Sequence, residues 1–394
     1  MMFNPRYIFL IIWLLQVAAH SLDNTFYPFE ALTWLLVAIS MFAFMGGTSL
    51  GNAIRGSSFV AYASPQCSDA YIRNFFAVSY LIFLAAIVVA TFWLSSTLGG
   101  LDIFQESATR LRQIVIYDFL GDRVILSYLR VYYFGVGLSL FTLAFSSRLG
   151  RGWTVLAVIT GLLSALITTG RLYLLLFAAA GAALAYRQKL LSRGGLVTIA
   201  LVFVTLFFAI AVLLSKGTEG ATVMESVVWN ARTYFMSSLA CFNDFVKTNH
   251  QVIDGSALIP DFLRSILNNM GASIAMKPEL LPFSYVPEPC NTYTVLFPYF
   301  HDGGAAGVAS LMFGAGVLHQ YLYKLYMRSA SPVLWYLYAI SLYPLIMMVF
   351  EDAYLSSYGF WLLLLTPPTL FCGIHWAAQT RGPNSLETAQ PRVH

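Results

Sequence analysis

Apolar residues run through the chain in long, nearly unbroken stretches, and polar residues collect between them. A helix needs about 20 predominantly apolar residues to cross the hydrocarbon core of a bilayer. Stretches near 7–20, 31–50, 74–98, 128–146, 153–169, 171–187, 195–214, 304–324, 332–350 and 357–377 meet or approach that length. Irregular backbone cannot face lipid, because its polar groups would go unpaired. The pattern therefore predicts an all-α polytopic membrane protein with about ten transmembrane helices. The first apolar run follows Arg6 without a clear small-residue cleavage site, so it is expected to stay as an anchor.

Most polar intervals are short, but two are long. Residues 99–127 carry Gln105, Glu106, Arg110 and Arg112 together with Ile103, Phe104, Leu111 and Phe119, a mixture suited to a helix lying along the membrane surface. Residues 216–303 form the larger interval, and loops of such length are usually functional or disordered. Within it, Val223, Val227, Val228, Tyr234, Phe235, Leu239, Phe242 and Val246 recur at helical spacing and predict a helix over 222–247. Pro260 is placed to open a second helix over 260–276. Pro278, Pro282, Pro287, Pro289 and Pro298 predict a rigid, extended crossing over 278–298. The reading is one membrane domain over 1–378, with a polar tail at 379–394 expected to be disordered.

Composition agrees. Of 394 residues, 58% are hydrophobic and 10% charged, against about 25% charged in soluble domains. Orientation follows from Lys and Arg in the short connections. Arg55, Arg73, Arg148, Arg151, Arg187, Lys189, Arg193, Lys324 and Arg328 fall on alternate connections, which belong to the cytoplasmic side. Both termini then lie inside, and the 216–303 loop lies outside. All of the 18 Asp and Glu residues except Asp69 and Glu387 also fall outside. The net charge of +4 thus sums a basic inner face and a mildly acidic outer one, and nothing in it points to nucleic acid. Four cysteines are too few for a disulfide scaffold. Cys241 and Cys290 share the outer loop, where oxidation is permitted, so a bond between them is open.

Several polar residues could carry chemistry. Arg171 follows Thr168-Thr169-Gly170 at a tight outer turn and starts a helix. A helix N-terminus favours anions, so a cation there wants an anionic partner. Its forked donors suit a phosphate or pyrophosphate; the plainer reading is snorkelling to the interface. Arg232 sits on the 222–247 helix, with Glu225 two turns earlier, and a solvated outer helix is the plainer reading there too. Arg264, Arg110, Arg112 and Arg123 are weaker candidates of the same kind. His301 has the right intrinsic proton affinity for a general base, although a lone His is more often structural. Asp302 fits a helix N-cap as readily as a catalytic role. Glu351 and Asp352 read as a solvated outer turn. Gly303, Gly307, Gly314 and Gly316 permit close helix contact or close approach of a ligand. No P-loop, HExxH, GxSxG or Cys/His metal cluster occurs in the sequence.

Asn291-Thr292-Tyr293-Thr294, then Tyr299, then His301-Asp302-Gly303-Gly304, resemble the O-antigen polymerases, the Wzy-type oligosaccharide repeat unit polymerases of bacterial inner membranes. Thr169-Gly170-Arg171 looks like that family's small-residue-then-Arg turn. Gly303 departs from the pattern, since an aromatic is common there. The likeness covers the layout of most of the chain but only about 20 residues by motif. It implies a GT-C-like, metal-independent glycosyltransferase without a cofactor, with both termini in the cytoplasm. Its donor and acceptor would be undecaprenyl-pyrophosphate-linked oligosaccharides, with membrane lipid and a chain-length regulator as further partners. On this resemblance Arg171, Arg232 and Arg264 would bind the substrate's anionic groups. Asn291, Tyr293 and Tyr299 would meet its sugars, and His301, Glu225 and Asp302 would serve the acceptor hydroxyl, His301 leading. An O-antigen ligase, a flippase or transporter of the same lipid-linked sugar, and a non-catalytic scaffold are the competing readings.

Overall fold

The computed structural model describes residues 2–22, 28–54, 67–98, 123–167, 171–213, 222–248, 257–274, 281, 283–286, 289–355 and 358–380. The membrane-surface helix expected within 99–127 lies almost wholly outside these residues, as do Pro278, Pro282 and Pro287 and nearly all of the tail. In chain order the helices are α1 (Pro5–Leu22), α2 (Ala31–Ala53), α3 (Asp69–Leu98), α4 (Arg123–Ala144), α5 (Ser146–Leu149), α6 (Arg151–Ile167) and α7 (Arg171–Arg187). They continue as α8 (Arg193–Leu213), α9 (Val223–Phe235), α10 (Ser237–Thr248), α11 (Asp261–Asn269), α12 (Leu296–Arg328), α13 (Pro332–Met347) and α14 (Tyr358–Thr380). A two-residue hairpin, β1 (Ser284–Tyr285) with β2 (Pro289–Cys290), pairs antiparallel with Ser284 opposite Cys290.

Helices α1, α2, α3, α12 and α14 are long and apolar enough to cross a membrane. Helices α4, α6, α7, α8 and α13 are apolar over shorter described lengths. Large apolar side chains stay exposed along these helices, Phe42, Leu81, Phe92, Leu201 and Leu362 among them. In water such a surface would drive aggregation; against lipid tails it is the expected one. The protein is an all-α membrane protein.

The chain divides into two compact units. One comprises residues 1–57, 178–329 and 337–358. Its backbone is the α2–α12 pair, where glycines bring main chains into direct contact. A Cβ added at Gly47 would lie 2.0 Å from the Phe313 carbonyl oxygen, and one at Gly316 would lie 2.2 Å from that of Phe44. Helix α1 packs beside them, with Phe9 stacked on Phe44 at 3.9 Å between ring centroids. Cations close the helix ends. Lys324 Nζ donates to the carbonyls of Asn52 and Ile54 at the end of α2, and Arg187 donates to those of Tyr326, Met327 and Ser329 at the end of α12. Positive groups belong at helix C-termini, where carbonyls lack helical partners.

The other unit comprises residues 58–177, 330–336 and 359–394. Phe75, Phe76, Phe141, Phe145 and Phe371 form its aromatic core. Pro368 has no N–H to offer the Leu364 carbonyl one turn back, and the Tyr336 hydroxyl donates to that oxygen instead, at 2.6 Å. Asp69, one of the two acids expected on the inner side, accepts from Arg148 at 2.6 Å.

The large loop departs from expectation in three places. The 222–247 segment is helical but breaks at Met236 into α9 and α10. The second helix ends at Asn269 rather than 276, because Gly271 turns to φ +98° and the Asn268 side chain bonds both backbone groups of Ile274. The proline-rich segment is not extended throughout. It folds into the β1–β2 hairpin, and α12 begins at Leu296, eight residues before the expected 304. Pro298 is tolerated because it occupies the first helical turn, where no intrahelical N–H is needed.

Candidate functional site

The loop helices are built into the first unit. Residues Ser237 to Asn243 of α10 are all buried. Gln16 of α1 donates from Nε2 to the carbonyls of Phe235 and Val349, each at 3.1 Å, and Ser238 Oγ also donates to Val349. One buried amide side chain thus satisfies the end of α9 and the irregular backbone after α13. The Val295 N–H donates to the Met348 carbonyl at 2.9 Å, fixing the head of α12 to the same point. Cys241 and Cys290 are disulfide-bonded, with Cα atoms 6.3 Å apart, so the bridge left open by the sequence ties α10 to β2.

From β2 the chain passes through Asn291 and Thr292, both half-buried, to Tyr293. Tyr293 is buried, its ring stacked on Phe297 at 4.5 Å. Burial raises the Tyr293 hydroxyl above its ordinary proton affinity, so it stays neutral and hydrogen-bonds as a phenol. Phe297 also contacts His301, whose ring stacks on Phe245 of α10 at 5.8 Å. His301 Nδ1 and Asp302 Oδ1 are 2.5 Å apart. Asp302 Oδ2 accepts the N–H groups of Ala257 and Leu258, at 3.1 and 2.7 Å. The carboxylate therefore does accept backbone bonds, but from the segment before α11 rather than from its own helix.

This arrangement sets a tautomer. When the carboxylate is ionised and the ring neutral, the carboxylate only accepts, so the hydrogen between them sits on Nδ1 and Nε2 keeps its lone pair. Asp302 thus orients the His301 ring and is itself held by backbone N–H groups, the geometry of a base with its orienting partner.

The kink that presents this pair needs glycine. Gly304 lies at φ 58°, ψ −156° inside α12, a region essentially closed to side-chain-bearing residues. A Cβ at Gly307 would lie 2.4 Å from the Tyr299 carbonyl oxygen, whereas Gly303 and Gly314 have open space. The unusual Gly303 of the motif is thus undemanding, and its neighbour is the constrained position. Gly304→Ala is expected to cost about 1–3 kcal/mol from backbone strain, measured as a lower thermal midpoint in detergent, while Gly303→Ala leaves the midpoint unchanged.

The other expected site residues are placed differently. Glu225 is exposed and closes a capping box at the start of α9: its Oε2 accepts from Thr222 N at 2.8 Å and from Thr222 Oγ1 at 2.9 Å. Those bonds hold its carboxyl below the ordinary value, which suits a cap better than a base that must take a proton near neutral pH. Arg264 is fully buried, and its Nε donates to the Ile259 carbonyl at 2.6 Å. Tyr299 is buried. Arg232 is exposed on the last turn of α9. Arg171 opens α7 in the second unit, and its side chain lies outside the described residues. Glu351 is half-buried, and Asp352, expected in a solvated turn, is buried with its carboxylate accepting from the Tyr354 and Leu355 N–H groups.

No known family model, curated protein or solved structure matches this chain.

Two features escaped the sequence reading. One is a cleft of about 140 Å³ lined by Pro28, Phe29, Ala240, Asn243, Asp244, Lys247 and Val286. Asn243 builds its wall: Oδ1 accepts from Glu30 N and Thr33 Oγ1, each at 2.8 Å, and holds the Pro28–Phe29 segment against α10. Phe245, one residue past Asp244, is the ring that stacks on His301, so cleft and dyad lie on neighbouring faces of one helix. The other is His319, fully buried on α12, with Nε2 at 2.7 Å from the Tyr354 hydroxyl and Nδ1 at 3.5 Å from Ser341 Oγ. It pins the irregular segment after α13 to the middle of α12. Polar residues inside an apolar run, here His319 and Gln320, signal such partners, but the sequence does not say which residues answer them.

Proposed function

We propose that the protein is an oligosaccharide repeat unit polymerase of the O-antigen type. It lies in the bacterial inner membrane with about ten spans and cytoplasmic termini, and acts on the outer face. The growing glycan leaves undecaprenyl pyrophosphate and joins a hydroxyl of the next lipid-linked repeat. The observation that carries this reading is the His301–Asp302 pair at the head of a glycine-kinked membrane helix, backed by the helix α10 that also lines a cleft. The motif resemblance of residues 291–304, which includes the pair, supports the same reading.

The chemistry follows from the residues. His301 Nε2 takes the proton of the acceptor hydroxyl as its oxygen bonds to the anomeric carbon of the donor. The bond from that carbon to the pyrophosphate oxygen breaks, and the electron pair leaves on the pyrophosphate. Asp302 stabilises the imidazolium that forms. Asn291 orients sugar hydroxyls, and Tyr293 braces the Phe297 ring under His301. Charge developing on the leaving group calls for guanidinium donors; Arg171, at a helix start, and Arg232, exposed on the last turn of α9, are the proposed ones. No metal or other cofactor enters the scheme.

A glycan-length assay in cells lacking their own polymerase tests this. Expression is expected to restore long chains. Single repeats still attached to the lipid core would deny polymerase activity, and a ligase or flippase would instead govern whether any repeat is attached. Arg171→Ala and Arg232→Ala are each expected to abolish long chains at normal expression, and Arg→Lys to fail as well if two-pronged contact matters. Full-length polymer from both Ala variants would remove the pyrophosphate assignment.

A further inference from the structure

We propose that the cleft beside α10 is a subsite for a single uncharged pyranose, held by Asp244 and Lys247 against the face of Phe29. The inference rests on the glycan reading above and narrows it to a class of sugar and a place.

The cleft is a built one. Asn243 fixes one wall, and the Cys241–Cys290 bridge fixes the hairpin that carries Val286 as the other. Phe29 is held from behind, with its ring centroid 4.6 Å from that of His20 and 5.1 Å from that of Trp34. It is half-buried, so part of the ring remains available. An aromatic face carries negative potential and packs well against the C–H face of a sugar ring. At about 140 Å³ the cleft is well below the ~300–1,000 Å³ of pockets for drug-sized ligands. It holds one ring, not an oligosaccharide.

Charge decides the class. Asp244 is half-buried and Lys247 exposed, and neither makes an ion pair among the described residues. Asn243 is already committed to Glu30 and Thr33. The cleft therefore offers a carboxylate that accepts and an ammonium that donates, three residues apart on one helical face. A uronate turned to Lys247 would still hold its carboxylate within one helical turn of Asp244, and an amino sugar turned to Asp244 would hold its ammonium as near Lys247, so a charged sugar gains one contact against a like charge. Vicinal hydroxyls of an uncharged sugar satisfy both groups at once. Lodged there, a sugar of the acceptor repeat would be held next to the helix whose Phe245 backs His301.

The test uses the full-length protein in nanodiscs and saturation-transfer NMR, with methyl glycosides of glucose, galactose and mannose as probes against methyl glucuronide and methyl glucosaminide. Saturable binding of at least one neutral glycoside is expected, with both charged probes weaker. Asp244→Asn and Phe29→Ala should each weaken it roughly tenfold or more, since a hydrogen bond to a charged group and a ring face are lost. The thermal midpoint and the elution profile report that the variants fold. Absence of saturable neutral binding, equal binding of the charged probes, or unchanged affinity in both variants overturns the proposal. The glycan-length assay of the wild type judges the polymerase reading separately. A protein that binds pyranosides but makes no polymer keeps the subsite and loses the enzyme; one that makes polymer while Asp244→Asn and Phe29→Ala bind normally loses only the subsite.

Discussion

Gly47→Ala is expected to remove most folded protein from the membrane. The added Cβ would sit 2.0 Å from the Phe313 carbonyl oxygen, 2.9 Å from its carbon and 3.1 Å from its Cα. All three are backbone atoms of another helix, so no side chain can swing aside. Gly51 meets Val317 O at 2.6 Å in the same way, one turn along. Close packing through small residues is how helices associate where lipid removes the hydrophobic drive. Overpacking costs about 1–3 kcal/mol in ordinary cores, and this contact has less freedom to adjust than most. The damage would reach the candidate site, because α12 carries His301 and Asp302, while the start of α2 holds Asn243 through Glu30 and Thr33. Gly46→Ala is the control: its Cβ meets only the Phe313 ring, at 3.6 Å, and should be tolerated. The measurement is monodisperse yield and thermal midpoint in detergent. Equal behaviour of the two variants would contradict the close α2–α12 contact.

Loss of the Cys241–Cys290 bridge is the second large effect. The bond spans 49 residues of chain, and closing a loop of that length restricts the unfolded chain by about 4 kcal/mol on an entropic model. Both cysteines are buried, so replacement also leaves space in the packing around α10. Cys290 closes the hairpin and leads directly into Asn291–Tyr293, so without the bridge local opening there is expected to precede global unfolding. Cys241→Ala with Cys290→Ala is expected to lose long glycan chains before it loses insertion in the membrane, read as protease cuts confined to the loop. Cells unable to form disulfides outside the cytoplasm should reproduce this. Unaltered protease sensitivity and full chain length would show that the bridge is not needed to hold the loop.

Much of the fold was legible because membrane spans depend on local composition. Five of the apolar runs return as helices long enough to cross, and the others return as shorter apolar helices. The loop was legible in part, for reasons that can be named. The helical pattern over 222–247 was correct in kind, but its break at Met236 is stabilised by Gln16, whose bond to Phe235 spans 219 residues. The start of α12 lies earlier than expected because Pro298, counted among the prolines of an extended crossing, sits in the first helical turn, where proline is compatible with the helix. Asp302 was read as a capping or catalytic group; its role depends on Ala257 and Leu258, which the sequence gives no reason to bring near. Glu225 was the reverse case. The Thr222-x-x-Glu225 capping box is a local pattern and was readable from the start. The cleft was not, since Phe29 and Asp244 meet only through tertiary contact.

We propose that this protein itself joins lipid-linked repeats, with His301 as the base. The most direct measurement supplies purified protein in vesicles with undecaprenyl-pyrophosphate-linked repeat units and follows glycan length by electrophoresis. Wild type is expected to form a ladder of increasing length, and His301→Ala to leave single repeats although it folds and binds as wild type does. Asp302→Asn should fall between them. Single repeats only from the wild type, or an undiminished ladder from His301→Ala, would contradict the account.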